Sequence, residues 1–197
     1  MRLINNMRLF LSVLILFFSF QTWTKADDIS EFEIEGMSIG ESALDFFTKK
    51  KINNSKQNYY NDDEFIPVYI EDRYLFEIYE GVQFHYKKKD KKYKFVAIEG
   101  VIIFGDKTTE CHDKQEEIFE DLKRMFIKAK IYIHQGKHAQ DKTGKSTFKS
   151  LELKFKNGNA VSVDCYFWSK EMGYPNNLRI SILTKDFLNW INNKAYN

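Results

Sequence analysis

The sequence predicts an α+β domain, in which hairpins build an antiparallel sheet and about three helices pack mostly on one face of it. Three observations predict this class. Apolar and polar residues alternate over several strand-length stretches, two stretches have helical apolar spacing, and the connections between them are short. The predicted order is helix, several strands, helix, several strands, helix, which is typical of an α+β domain.

Residues 1–26 have the pattern of a secretory signal peptide. Arg2 and Arg8 precede an apolar run at 9–20, and Thr24-Lys25-Ala26 places a small residue at each end of a cleavage triplet. The run has 12 residues, fewer than the roughly 20 that span a bilayer. We therefore expect export to the periplasm or beyond, with no stable transmembrane helix after processing. An uncleaved segment would instead leave a membrane anchor.

The composition of residues 27–197 is typical of one ordinary domain. Removal of 26 of the 197 residues leaves 171, with 27 basic against 28 acidic side chains and a net charge of −1. This balance lacks the basic character of nucleic-acid-binding domains, so we expect no nucleic-acid partner. We expect one α+β domain over 27–197.

The N-terminal part predicts a loose lead-in followed by a helix. Residues 27–35 are mostly acidic and polar, and Ser38 with Glu41 has the spacing of a capping box. Apolar residues follow on one predicted helical side, and the basic run 49–51 suits a helix C-terminus. Residues 53–64 are polar and predict a loop.

Strand-like runs at 66–104 predict a first set of hairpins. A two-residue turn at Lys89-Asp90 would make the apolar faces of two runs coincide. It would produce the following pairs: Tyr86 with Tyr93, Phe84 with Phe95, and Val82 with Ala97.

The second half predicts a helix at 110–129, a hairpin, a further strand and a last helix. A three-residue turn at 157–159 would pair Leu153 with Val163, so that the apolar faces coincide. The last strand is predicted at 178–183, and Thr184 is predicted to cap the final helix.

Cys111 and Cys165 are predicted to form a disulfide. Each lies on the apolar side of its predicted element, one near a helix start and one in mid-strand. Export favours oxidation. The two alternatives are inert thiols and a catalytic or metal-binding thiol. The apolar strand around Cys165 does not suggest a reactive site.

Other motifs give little chemistry. His134 and His138 have a spacing that suits a metal only on a helix, and Gly144-Lys145-Ser146-Thr147 lacks the earlier glycine of a phosphate loop. We expect no metal and no cofactor. An envelope protein is one expected partner. Separately, one basic run at a predicted hairpin tip suggests contact with an anionic surface, namely lipid headgroups or acidic glycans, unless it only keeps the tip soluble. It comprises Lys87, Lys88, Lys89, Lys91, Lys92 and Lys94.

Several segments carry a resemblance to known proteins. They are Glu35-Gly36-Met37-Ser38-Ile39-Gly40-Glu41-Ser42, the helix around Cys111, Lys142-Thr143-Gly144-Lys145-Ser146, Val163-Asp164-Cys165-Tyr166, and Trp168-Ser169-Lys170-Glu171-Met172-Gly173. With them, the chain resembles small secreted proteins of marine alphaproteobacteria with AT-rich genomes. The resemblance covers most of residues 27–197 and implies export, but no known activity.

The sequence therefore favours an exported, non-enzymatic binding or envelope accessory protein of unidentified ligand. A concave sheet face rich in tyrosine and phenylalanine would be its binding surface. The alternative is a secreted hydrolase with a dispersed active site, whose catalytic residues the sequence does not identify. A pocket in which histidine, aspartate and glutamate converge would favour that alternative.

Overall fold

The computed structural model describes residues 28–72 and 74–197, so the predicted signal peptide lies outside the described residues. Seven antiparallel strands form one sheet, with three α-helices in the described part, as the α+β prediction requires. The strands are β1 (Phe65–Glu71), β2 (Gly81–Lys87), β3 (Ala97–Ile103), β4 (Lys130–Lys137), β5 (Thr147–Lys154), β6 (Ala160–Phe167) and β7 (Asn177–Leu183). The helices are α1 (Lys49–Asn54), α2 (Thr108–Met125) and α3 (Lys185–Asn193).

The sheet consists of two meanders joined by the last strand. The strand order is β1-β2-β3-β7-β6-β5-β4, so β7 lies between β3 and β6. Ile180 of β7 faces Gly100 of β3 on one side and Val163 of β6 on the other. Each meander supplies one half of the sheet, and β7 makes the two halves continuous.

The first face of the sheet carries the main apolar core. Helix α2 buries Cys111, Gln115, Phe119 and Leu122, whose spacing places them on one side of the helix. The amide of Gln115 donates to two backbone carbonyls of the sheet, at 2.8 and 2.7 Å, which satisfies this buried polar group. Helix α1 contributes Ile52 to the same core, whereas α3 packs on the opposite face.

The predicted disulfide is confirmed. Cys111 near the start of α2 is bonded to Cys165 in β6, with a Cα–Cα distance of 6.2 Å, and both residues are buried. The bond therefore ties α2 to the sheet through the core. No described helix is long and apolar enough to cross a bilayer.

The N-terminal predictions are wrong in two respects. The expected lead-in is not loose, because Ile29 and Ile34 are 2% and 1% exposed and belong to the core. The helix expected after Ser38 is interrupted: a single 3₁₀ turn spans Ala43–Asp45, and α1 begins at the basic run where the predicted helix should have ended. The Glu41 carboxylate does accept from the Ser38 N–H at 2.8 Å, so half of the capping box forms.

Pairing between distant segments explains this interruption. The Ala43 N–H donates to the Tyr93 carbonyl at 3.0 Å, and the Phe95 N–H donates to the Glu41 carbonyl at 2.9 Å. These bonds hold the backbone around residue 42 extended, which a continuous helix would not allow. Of the apolar residues there, Ala43 and Phe47 are buried in the core, whereas Leu44 and Phe46 are exposed, so their spacing does not mark one buried helical face.

The same pairing makes the predicted β2–β3 register wrong. Phe84 faces Ile98 across the two strands, not Phe95. Residues 93–95 bond to the N-terminal segment, and Tyr93 adopts a positive φ of 53°. The chain enters the sheet only after these residues. The rings of Phe84 and Phe95 still touch, with centroids 5.1 Å apart.

The β5–β6 hairpin has the predicted loop length at a shifted position. Leu153 faces Val161 rather than Val163, and the Phe155 N–H donates to the Asn159 carbonyl at 2.9 Å. The three-residue loop is therefore 156–158, which places Gly158 at the left-handed position with φ 90°. Apolar faces coincide in both registers, so the glycine decides between them. The final strand and the Thr184 cap of α3 agree with the sequence prediction.

Replacement of both cysteines by alanine should lower the free energy of unfolding by about 2–4 kcal/mol, because the bond closes a long loop and ties α2 to the sheet. Chemical denaturation of the oxidised protein measures this. The exposed Lys89→Ala change is the control and should stay within about 0.5 kcal/mol of the wild type. Equal losses in the two variants would contradict the structural role of the bond.

Candidate functional site

The second face of the sheet is polar and forms the floor of a cavity of about 600 Å³. Alternate residues of the central strands point to this face. They form two rows across the sheet. The first row is Gln83, Glu99, Ser181, Ser162 and Glu152; the second is Arg179, Asp164, Ser150 and His134. All nine residues line the cavity.

A buried ion pair lies at the centre of the floor. Nη1 of Arg179 donates to Oε2 of Glu99 at 2.9 Å, and Nε2 of Gln83 donates to Oε1 of the same carboxylate at 3.0 Å. Nε of Arg179 donates to Asn177, and its guanidinium lies 5.2 Å from the ring centroid of Tyr166. Burial alone would lower the pKa of Arg179, but the adjacent Glu99 raises it, so the guanidinium stays charged.

Asp164 is the second buried acid of the floor. Its residue is 5% exposed, and Oδ2 accepts from the Ser162 hydroxyl at 2.8 Å. Within the described part of the chain, Oδ1 has no hydrogen-bond partner. Burial raises the pKa of Asp164 to about 6, while the hydroxyls of Ser150 and Ser162 oppose the shift. The carboxylate is thus partly unsatisfied and close to its protonation point at neutral pH.

Aromatic side chains form the walls. The Tyr166 and Trp168 rings are nearly parallel, at 16°, with centroids 5.9 Å apart. Tyr174 meets the Trp168 ring edge-on at 5.1 Å and the Tyr59 ring at 6.2 Å. Among the described side chains, Nε1 of Trp168 is a buried donor that lacks a partner. The walls are therefore apolar ring surfaces with one unpaired N–H.

The cavity is closed at one end by the C-terminal helix and its neighbours. Tyr60 packs against Trp190 of α3 at 4.8 Å and against Tyr196 at 5.3 Å. Its hydroxyl lies 3.1 Å from Nε2 of His85. Burial lowers the pKa of His85 to about 4, so this imidazole is neutral at pH 7. This end of the site is a packed aromatic cluster.

A rim loop at 138–146 is organised by one carboxylate. Asp141 accepts from the N–H and hydroxyl groups of both Thr143 and Ser146, and from the Ser169 hydroxyl. These bonds hold the pKa of Asp141 well below its usual range. They also fix the loop to the residue after Trp168. The Gly144-Lys145-Ser146-Thr147 segment is therefore explained by loop structure rather than by phosphate binding.

The residues singled out from the sequence lie mostly outside the cavity. The disulfide is in the core on the opposite face. His138 lines the cavity, where burial lowers its pKa to about 4. His134, on the edge strand β4, also lines the cavity, whereas His112 lies on α2 next to Gln115. The described residues contain no group of three or more His, Cys, Asp or Glu side chains that could hold a metal ion.

The basic run surrounds the β2–β3 turn. Lys87 pairs with Asp186 at 3.0 Å, and Lys88 pairs with Asp63. For the other four lysines, 89, 91, 92 and 94, no ion pair is found in the described part of the chain. Part of the positive charge is thus neutralised locally. Contact with an anionic surface stays a prediction.

The sequence pattern did not identify the polar floor. Glu99, Asp164 and Arg179 sit at alternate positions of apolar strands, and this pattern is typical of a solvent-facing sheet surface. The available signal was that serine occupies the neighbouring inner positions 162 and 181, where small side chains leave room. The sheet face expected to be rich in tyrosine and phenylalanine instead has a polar floor, and aromatic side chains form its walls.

Comparisons with family models, with curated proteins and with solved structures found no match to this chain. The resemblance to small secreted proteins of marine alphaproteobacteria therefore stays a prediction. The chemistry of the cavity follows from its own residues.

Asp164→Asn should raise the free energy of unfolding at pH 7.5 by about 1–2 kcal/mol, because it removes a buried charge without removing the oxygen that Ser162 contacts. The pKa of Asp164 is raised in the folded state, so the free-energy penalty of its buried charge in the wild type develops as pH rises from about 4 to about 6. The stabilisation should therefore disappear near pH 4. Urea denaturation of both proteins across this range measures it.

Asp106→Asn is the matched control, since Asp106 lies in an exposed turn. It should leave stability unchanged at every pH. His85 and His138 destabilise both proteins on acidification, because their lowered pKa values mean that the unfolded state takes up protons first. The difference between variant and wild type cancels this contribution. A pH-independent difference would contradict the assignment.

Proposed function

We propose that this is an exported protein that binds a small polar ligand in the sheet-face cavity without transforming it. One observation carries the proposal: the cavity is already formed and is lined by residues whose buried polar atoms lack partners among the described residues. Native proteins satisfy almost all such atoms. Among the described residues of the cavity lining, Gln83 and Asp164 each have an unpaired acceptor and Trp168 has an unpaired donor. A polar ligand would supply the missing hydrogen bonds.

Two observations support the exported location. Residues 1–26 have the signal-peptide pattern. Cys111 and Cys165 form a disulfide, and such bonds persist mainly in oxidising compartments. The periplasm and the extracellular space both meet this condition.

The hydrolase alternative has one observation in its favour, because Asp164, Glu99 and His138 converge on the cavity. Their partners argue against catalysis. Glu99 is already bound by Arg179 and Gln83, and Nδ1 of His138 accepts from the Gln140 N–H at 3.2 Å. Across residues 28–72 and 74–197, no serine or cysteine is hydrogen-bonded to a histidine, as an activated nucleophile would require. Binding without chemistry is the better interpretation.

Titration of the full-chain protein, expressed with its own N-terminal segment, tests the proposal. The probes are neutral sugars, polyols, amino acids, polyamines, nucleosides and dicarboxylates. At least one class should produce a saturable change in tryptophan fluorescence, because Trp168 lines the cavity. Ser150→Phe should abolish the change by filling the floor, whereas Thr147→Phe, on an exposed position of the same strand, should not.

The absence of a saturable response to every class would overturn the proposal. Incubation with each class, followed by mass spectrometry of the small molecules, tests turnover in parallel. A product that forms with the wild type and not with Asp164→Asn would replace binding by the hydrolase alternative.

A further inference from the structure

The unpaired atoms of the cavity define which hydrogen bonds a ligand must make. Oδ1 of Asp164 and Oε1 of Gln83 need donors, and Nε1 of Trp168 needs an acceptor, as judged over the residues that the structure describes. Asp164 is more than nine-tenths buried and lies on the floor, while Trp168 lies on the wall. The complementary molecule therefore carries donors and acceptors on the same face or edge. Hydroxyl groups supply both functions from one atom.

The charges of the floor disfavour a charged ligand. An anion would meet three carboxylates of the floor, those of Glu99, Asp164 and Glu152. A cation would meet Arg179, which is the cross-strand neighbour of Asp164 and already occupies a position over the Tyr166 ring. A charged ligand would lose its hydration on entering this cavity. One group of the floor would attract it while another repelled it. A neutral molecule avoids both costs.

The walls require apolar surface on the same molecule. The near-parallel rings of Tyr166 and Trp168, together with Tyr174 and Tyr59, bound the space above the polar floor. Arg179 already covers part of the Tyr166 ring and His138 packs against Trp168, but a ligand that offered only hydroxyl groups would leave the remaining ring surface of the walls unmatched. A sugar ring presents hydroxyl groups at its edge and a patch of C–H groups on its face, which can lie against an aromatic ring.

We propose that the ligand of the cavity is a neutral carbohydrate, held by Asp164 and Gln83 as acceptors, by Trp168 as donor, and by the aromatic walls. This rests on the proposed function, because it assigns a ligand class to that binding site. The volume of about 600 Å³ accommodates a short sugar and falls within the roughly 300–1,000 Å³ of small-molecule sites.

Calorimetric titration with neutral and charged sugars tests the assignment. The probes at pH 7.5 are glucose, galactose, N-acetylglucosamine, maltose and cellobiose, compared with cationic glucosamine and anionic glucuronate. At least one neutral sugar should bind at least tenfold more tightly than both charged sugars. Stronger binding of glucosamine or glucuronate would overturn the assignment of a neutral ligand, and stronger binding of a polyamine would overturn the carbohydrate class, while the proposed binding function stands in both cases.

Variants locate the binding. Asp164→Asn should weaken the neutral sugar at least tenfold although it stabilises the fold, and Trp168→Phe, which removes the N–H and retains a ring, should weaken it about fivefold. Tyr132→Phe removes a hydroxyl outside the cavity and should leave the affinity unchanged. Sugar binding that ignores both cavity changes would overturn the site. No response to any sugar or to any other probe class would overturn the binding function as well.

Discussion

The insertion of β7 between β3 and β6 is the constraint on which the rest of the structure depends. Without it, the two meanders would be separate three-stranded sheets, each with an open edge. Because β7 alternates Leu178, Ile180 and Ile182 with Arg179 and Ser181, its pairing simultaneously closes the apolar core and completes the polar floor. The core and the cavity thus lie on opposite faces of the sheet that this pairing completes.

The ion pair between Arg179 and Glu99 spans the junction of β7 with β3. Burial of two charges costs hydration free energy that their attraction only partly returns, so apolar residues of similar size would often be as stable. Buried charged residues at these positions suit a cavity that takes up a polar molecule. Asp164 extends the same argument, since it is buried and one of its carboxylate oxygens has no partner among the described residues, which costs free energy in the absence of a ligand.

The opposite face supplies the rigidity that such a site needs. The disulfide fixes α2 to β6, the strand whose other side carries Ser162 and Asp164. The Asp141 network fixes the rim loop beside Trp168. A site whose walls are held before binding loses less conformational entropy when the ligand enters, and this raises affinity without additional contacts. Core residues and cavity-lining residues therefore alternate along the same strand.

The sequence alone determined the class of the fold, the helix at α2, the strands of the second meander, the Thr184 cap and the disulfide, because periodicity and capping depend on neighbouring residues. Only the tertiary structure decided the registers, the interrupted segment around residue 42 and the cavity. Registers depend on turn geometry and on distant partners, such as Glu41 with Phe95. A period of two assigns Asp164 and Arg179 to one face, but a face open to water and a face that lines a cavity produce the same pattern. Only the packing of the aromatic walls distinguishes them.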